Sequence, residues 1–388
     1  MTQGAAPLPR EETLSVSIIG RAELGAHPVW TAMFADDRKD HRYYEIIEDT
    51  LPDYDHRYFA FADTTGRVRA IQPFFLVDQD ILEGVGSDWR PVVAVRGRFP
   101  RFLKLRTLMV GCSAGEGHLA TAEGVSAAAV AQALADSLVA HARALGAHLV
   151  VMKEFPAHYR EAFGCFQRAG FVRSPSMPMT KLNIQYDGFD HFLDKALSGK
   201  ARRNVRRNLK ASAGADLRME ITDITDGLVD ELFPLYLNVF NRSAFHFEKL
   251  TKAYFLGLGA RMPDKIRMFT WRLGGRLVAF NICMVEGDEF FSEYIGFDYA
   301  VALDLHLYFV VVRDTIEWAI RQGYRWFRSS GLNYDPKLHL RHQLDPIDLY
   351  VRHVSPLANV VMKRVVPRMT PARYDPILKQ FANYDEIW

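Results

Sequence analysis

The run from Arg267 to Gly331 constrains the fold of this chain more than any other stretch. Two extended segments, RMFTWRL and RLVAFNICMV, flank Gly274-Gly275. Alternating β-rich runs on either side of such a turn specify a hairpin. Glu286-Gly287-Asp288 turns the chain into EFFSEYIGFD, a third antiparallel strand. DLHLYFVVVRDTIEWAIRQG then has Leu307, Val310, Val311, Thr315 and Trp318 about three or four apart, which predicts one helix stopped by Gly323. YRWFRSSG adds a short strand before a turn-rich exit.

The first half repeats this order. HRYFAFADTTGRVRAIQPFFLVD reads as a hairpin turning at Thr65-Gly66, and LRTLMVGCSA as a buried strand. VSAAAVAQALADSLVAHARALG is an alanine-rich helix with Ser126 near its start and Gly146 at its stop. AHLVVMKEF, HYREAFGCFQRAG and FVRSPSMPMTKLNI continue as strand, helix and extended segment. An internal duplication with a period near 190 residues is the reading, and 388 residues accommodate two domains. The expected organisation is a disordered lead over 1–13, an N-terminal domain over 14–188, a basic linking helix over 189–215 and a C-terminal domain over 216–388. The stretch from Gly84 to Leu103 reads as an irregular connection or a helix plus loop.

Composition excludes several classes. An apolar fraction of 49% supplies an ordinary core, and a formal net charge of +2 argues against a dedicated DNA-binding coat. The three cysteines have neither metal-ligand nor disulfide spacing, so a reducing cytoplasm is expected. No signal peptide or membrane span is expected, and no metal motif, G-x-S-x-G elbow or dinucleotide fingerprint is found.

Charge concentrates in one place. LSGKARRNVRRNLKASAG packs Lys200, Arg202, Arg203, Arg206, Arg207 and Lys210 into a helical segment. Arg203, Arg206, Arg207 and Lys210 recur at three and four, so they repel unless acids or a polyanion lie opposite. Three readings stay open: a solvated helix paired with acidic neighbours, a seat for a phosphate-rich partner (coenzyme A, a nucleotide-linked precursor or an RNA acceptor end), or general DNA binding.

The element order, this basic segment and the run GYRWFRSSGLNYDPKLHLRHQL together resemble the FemAB-like branch of the GNAT acyltransferase superfamily, which includes peptidoglycan aminoacyltransferases and CelD-type acetyltransferase domains. The resemblance covers roughly residues 13 to 350. It implies an α/β (α+β) fold of two tandem GNAT-like domains, each a mixed, mainly antiparallel sheet flanked by helices. Lys200, Arg203 and Arg207 match the basic helix that members often carry before the second domain. Lys337 matches a lysine shortly after the last core strand. The implied activity is N-acyl or N-aminoacyl transfer to an amine. The chain lacks the long coiled-coil insertion of some peptidoglycan members, which favours acyl-coenzyme A over aminoacyl-tRNA as donor. A catalytically silent binding module is the alternative outside catalysis.

Acyl transfer needs a carbonyl held beside a neutral amine, a base for the amine proton and donors for the oxyanion. Glu293 is a candidate base on the third strand of the second half; simple alternation places it on the face opposite to Tyr294, a candidate substrate contact. Asp298, at that strand's end, is a second candidate base. Tyr334 is a candidate general acid, and Lys337 a candidate for the oxyanion or a substrate phosphate. His339 and Arg341 are candidate acceptor contacts, and Phe245 and His246 a candidate aromatic wall. Gly115-Glu116-Gly117-His118 loosely resembles the GNAT pyrophosphate loop, so Gly115, Gly117 and His118, with Arg203 and Arg207, are candidate donor contacts; a plain tight turn competes with that reading, and Glu116 would repel phosphate. The tail after Ser355 is expected to cap the second domain, with a basic surface for anionic lipid as the alternative.

Overall fold

The computed structural model describes residues 13–80, 90–102, 104–243 and 248–388. Phe245, His246 and residues 1–12 of the lead lie outside them. In chain order the strands are β1 (Ser15–Ile19), β2 (Asp55–Ala62), β3 (Val68–Asp80), β4 (Lys104–Val110), β5 (Leu149–Pro156), β6 (Val172–Pro175) and β7 (Met179–Asn183). They continue as β8 (Leu217–Thr222), β9 (Ile266–Leu273), β10 (Arg276–Glu286), β11 (Glu289–Phe297), β12 (Trp326–Ser329), β13 (Gln343–Asp345) and β14 (Ile347–His353).

These strands form two seven-stranded mixed sheets, ordered β1-β2-β3-β4-β5-β14-β6 and β13-β7-β12-β11-β10-β9-β8. The two hairpins expected from their glycine turns are present as β2–β3 and β9–β10. In each sheet one pair is parallel, β4–β5 and β11–β12, and each is joined through the helix predicted from periodicity. The Ala127–Ala144 helix is capped by Ser126, whose hydroxyl accepts from the Ala129 N–H at 3.1 Å. It buries Val130, Leu134 and Leu138 on the first sheet. The Leu307–Arg321 helix buries Leu307, Val311 and Ile316 on the second. A helix at Arg90–Arg98 occupies part of the stretch read as irregular or helix plus loop.

The sheets do not follow the boundaries drawn at 188 and 216. β7, read as part of the first domain, pairs antiparallel with β12 in the second sheet, Thr180 opposite Ser329. β14, read as part of the second, lies between β5 and β6 in the first. Each half lends a strand to the other. A five-residue alternating strand satisfies either sheet, and its partner is fixed only by long-range pairing.

A third apolar layer lies between the sheets. Trp30, Phe34 and Tyr43 of the first half meet Leu232, Tyr254 and Phe255 of the second, and Met268, Phe280 and Phe291 of the second sheet close the layer. Gly257 is required here, since a Cβ would lie 2.9 Å from Ile46 Cγ2. The tail divides: Phe381, Leu378 and Ile387 pack with Leu344 and Tyr334 of the second half, while Met362 and Val366 pack on Val351 and Leu149 of the first sheet.

Candidate active site

Each parallel pair parts after a few residues, and the two partings are finished differently. β11 and β12 pair only from Glu289–Trp326 to Ser292–Ser329 and then diverge. At that point β11 is also bulged against β10. Cys283 faces Ser292 and Ile282 faces Tyr294, so Glu293 has no place in either register. A bulge puts two successive side chains on one face. Ser292 reaches Asn281 at 2.9 Å on the side of the Leu307–Arg321 helix. Glu293 and Tyr294 both turn to the layer between the halves. The expectation that they face opposite ways is thereby corrected, because simple alternation fails at a bulge.

Glu293 is buried and accepts from Arg38 Nε at 2.7 Å, with Lys39 Nζ at 3.5 Å. Burial raises its pKa, but Lys39 and Arg38 outweigh burial and hold it at about 2. Such a carboxylate is a poor proton acceptor near neutrality. Its chemistry is to hold two buried cations, and the candidate base must be sought elsewhere. Lys39 Nζ also reaches Glu116 at 2.8 Å, and Arg38 pairs with the same carboxylate. The Arg38 guanidinium lies 3.7 Å from the Phe291 ring centre. Glu116, which would have repelled a phosphate, thus holds Arg38 and Lys39 within the first half, and these two cations reach across to Glu293 of the second.

The same layer holds a chain of phenols. Tyr43 donates to the Ala114 carbonyl at 2.8 Å and lies 2.8 Å from the Tyr254 hydroxyl, whose ring packs edge-on against Tyr294. Near them stands Glu248, partly buried. Burial, reinforced by Glu154, raises its pKa to about 7 against the pull of Lys153. Its carboxylate takes a hydrogen bond from its own backbone N–H, and its charge is felt at Tyr294 and Cys112. Sequence reasoning passed over Glu248, Arg38 and Lys39. They come together through long-range packing, and no local spacing marks them.

In the first half the corresponding parting is filled by the chain itself. β4 and β5 pair from Thr107–Leu149 to Val110–Met152. Beyond it the Gly117 N–H donates to the Glu154 carbonyl at 3.0 Å, and Lys153 Nζ to the Gly115 carbonyl at 2.8 Å. A Cβ on Gly117 would lie 2.6 Å from the Lys153 carbonyl oxygen and 2.7 Å from the Phe155 ring. The His118 ring nitrogens lie 3.1 Å from Asp37 Oδ2 and 3.3 Å from the Tyr159 hydroxyl. Gly115, Gly117 and His118 therefore seal a gap, and the tight-turn reading describes them better than a phosphate cradle.

The basic helix, Gly199–Lys210, follows Ser198 as N-cap and buries Val205 against the second half. Its cations divide. Arg202 and Arg206 pair with Asp194 at 3.1 and 3.0 Å. Lys200, Arg203 and Arg207 have no carboxylate partner among the described residues. They line an open groove of about 660 Å³ together with Ser198, Asn204 and His339.

The remaining candidates are spread out. Asp298 caps the Tyr299–Ala302 helix, accepting from the Ala300 N–H at 3.0 Å, and pairs with Arg276. The Tyr334 hydroxyl donates to the Pro178 carbonyl at 2.8 Å inside the tail core. Arg341 is exposed, past the end of the Tyr334–His339 helix, with φ of 64°. Lys337 is buried. Its Nζ donates to the carbonyls of Ser330 at 2.6 Å and Leu332 at 3.0 Å, and burial lowers its pKa to about 7. Leu332 and Asn333 both have left-handed backbones, φ 70° and 47°. Lys337 thus fastens the strained turn that leaves β12 at the parting.

Comparison with known proteins gives this geometry a family. The acetyltransferase (GNAT) domain family matches residues 199–337, from the first residue of the basic helix to Lys337. A tandem GNAT protein from the clavulanic acid biosynthesis pathway shares the fold with a TM-score of 0.51 at 12% identity, over 88% of this chain and 99% of that one. The chain shares the tandem GNAT fold, and its residues 199–337 match the GNAT domain family. FemX is similar with a TM-score of 0.50 at 11% identity, over 86% of this chain and 96% of its own. The C-terminal domain of a putative lysylphosphatidylglycerol synthetase from Agrobacterium fabrum is similar with a TM-score of 0.50 at 15% identity, over 89% and 96%. No curated protein matches in sequence. The likeness to these structures is one of fold, and the family match assigns residues 199–337 to an acetyltransferase (GNAT) domain.

Proposed function

We propose that the protein transfers an acyl group from an acyl-coenzyme A thioester to an amine, with the donor in the second half and the acceptor in the layer between the halves. The observation that carries this reading is the division of the basic helix. Lys200, Arg203 and Arg207 face an open groove with no acid paired to them among the described residues, while Arg202 and Arg206 are paired. Uncompensated, forked cations in a concave site suit phosphates. The parted end of β11 and β12 suits the acyl arm, and the bulge frees backbone groups at Glu293 for a developing oxyanion.

Glu248 is assigned as the base: near neutrality it is poised between its two protonation states, and its charge is felt at Tyr294. Lys337 acts through the turn it fastens and is a positioning residue. A second reading, an aminoacyl ester on an RNA 3′ end as donor, is favoured by the openness of the same groove, which a longer polyanion could enter.

Calorimetric and thermal-shift titrations with coenzyme A, acetyl-coenzyme A and longer acyl esters test the donor. Saturation at about 100 times the dissociation constant should add roughly 2.7 kcal/mol to stability. Absence of binding by every thioester overturns the acyl-coenzyme A reading and leaves charged RNA to be tested.

A further inference from the structure

Two surface helices outside the site carry an unusual side-chain pattern. The Pro356–Val365 helix docks through Asn359, whose side chain accepts from the His353 N–H at 3.0 Å and donates to the Gly170 carbonyl at 3.0 Å, and through Met362. Its opposite face presents Leu357, Val360 and Val361, 83%, 51% and 59% exposed. The Arg90–Arg98 helix and the turn after it present Val93 and Phe99, 54% and 63% exposed, with Phe102 beside them. Tolerating so many outward apolar side chains on two helices is uncommon in a water-facing surface.

The fold sets both helices at one end of the first sheet. Val77, Thr107, Leu149 and His353 form one row across β3, β4, β5 and β14. Beyond β3 and β4 in one direction the chain carries the Arg90–Arg98 helix. In the same direction Pro356 follows three residues after His353. Three strand spacings separate the two exits, roughly 14 Å.

Charge on these segments is one-sided. Residues 90–104 contain five Lys and Arg and no Asp or Glu; residues 356–374 contain four and none. Only Arg96 is ion-paired among the described residues of these segments, to Asp80 at 2.7 Å. In a chain of net charge +2 this is a strong local excess. A second copy of the same surface would set cation against cation in a two-fold contact. Outward apolar side chains ringed by Lys and Arg on helices are what an anionic bilayer surface accepts, apolar groups entering the headgroup boundary and cations staying at the phosphates.

We propose that this end of the first sheet docks the protein on anionic phospholipid membranes, with Leu357, Val360, Val361 and Phe99 inserting and Arg98, Lys363 and Arg364 at the headgroups. The full chain should co-sediment with phosphatidylcholine vesicles containing about a third phosphatidylglycerol. Binding should fall at least about tenfold on pure phosphatidylcholine, or when salt shortens the screening length several-fold. Leu357→Ser with Val361→Ser should weaken partition severalfold, and Arg98→Glu with Arg364→Glu more strongly, each charge being worth about fivefold. All four positions are exposed, so the variants keep the wild-type melting temperature. Failure to sediment with anionic vesicles, or sedimentation indifferent to both double variants, overturns the proposal. So does light scattering showing a wild-type dimer that the variants dissociate without any vesicle binding.

Discussion

The two parallel strand pairs begin alike and end differently. β4–β5 and β11–β12 each hold four residue pairs, each is joined through a long helix, and each then parts. In the first half the parting is closed by residues 111–120, with Gly117 pressed against the Lys153 carbonyl. In the second it is bulged, opens beside a turn fastened by Lys337, and belongs to the half that carries the basic groove. On the proposed function, one half keeps this parting for structure and the other uses it for chemistry. A glycine-bearing loop after a strand is no guide to which copy binds, because glycine serves close packing as well as phosphate approach.

Several substitutions would break or sharpen this contrast. Glu248→Gln should have the largest effect, lowering turnover by about 10²–10⁴. In the wild type kcat/KM should rise with pH through about 7, and in the variant that rise should vanish. The same group leaves a stability signature. Its folded pKa is raised, so its stabilising contribution is full below the unfolded value near 4.5 and is lost as pH rises through about 7. A rate profile with no inflection near 7 would remove Glu248 from the proton path.

Glu293→Gln should destabilise by about 3–5 kcal/mol in urea unfolding, since it strands Arg38 and Lys39 in a buried site. Here the folded pKa is depressed, so the stability is present above the unfolded value near 4.5 and fades as pH falls toward about 2. Arg203→Glu with Arg207→Glu should reduce donor affinity about a hundredfold with little change in melting temperature, both side chains being exposed. Gly117→Ala should do the reverse, costing about 1–3 kcal/mol of stability while donor affinity in the folded fraction holds. Donor binding lost at Gly117 and kept at Arg203 and Arg207 would exchange the roles of the halves. The smallest effect belongs to Arg206→Ala, whose exposed pairing with Asp194 contributes about 0.2–1 kcal/mol and should leave donor affinity unchanged.

Element order was readable in the chain because it rests on local signals: Gly274-Gly275 at a hairpin, Ser126 at a cap, Leu307, Val310 and Val311 on one helical face. The basic helix was readable too, and the later match begins at its first residue. What stayed hidden is non-local. Nothing within β7 says it will pair with β12, and nothing in EFFSEYIGF announces a bulge, which arises from its fit to β10. The bulge reversed the expected facing of Glu293. Tyr334 has the same composition-level signature as a catalytic tyrosine, and only packing against Phe381 and the bond to Pro178 commit it to the core. Glu248 is a lone carboxylate, and its raised pKa is made by burial, reinforced by Glu154, a residue 94 positions earlier in the chain.

Hydrogen exchange on the wild-type protein, with and without a saturating acyl-coenzyme A, tests the division of labour most directly. The account predicts added protection along 199–210, 289–297 and 330–339, and none along 111–120, where the Gly117 N–H is already bonded to the Glu154 carbonyl. Protection confined to 111–120, with the basic helix unchanged, would contradict it.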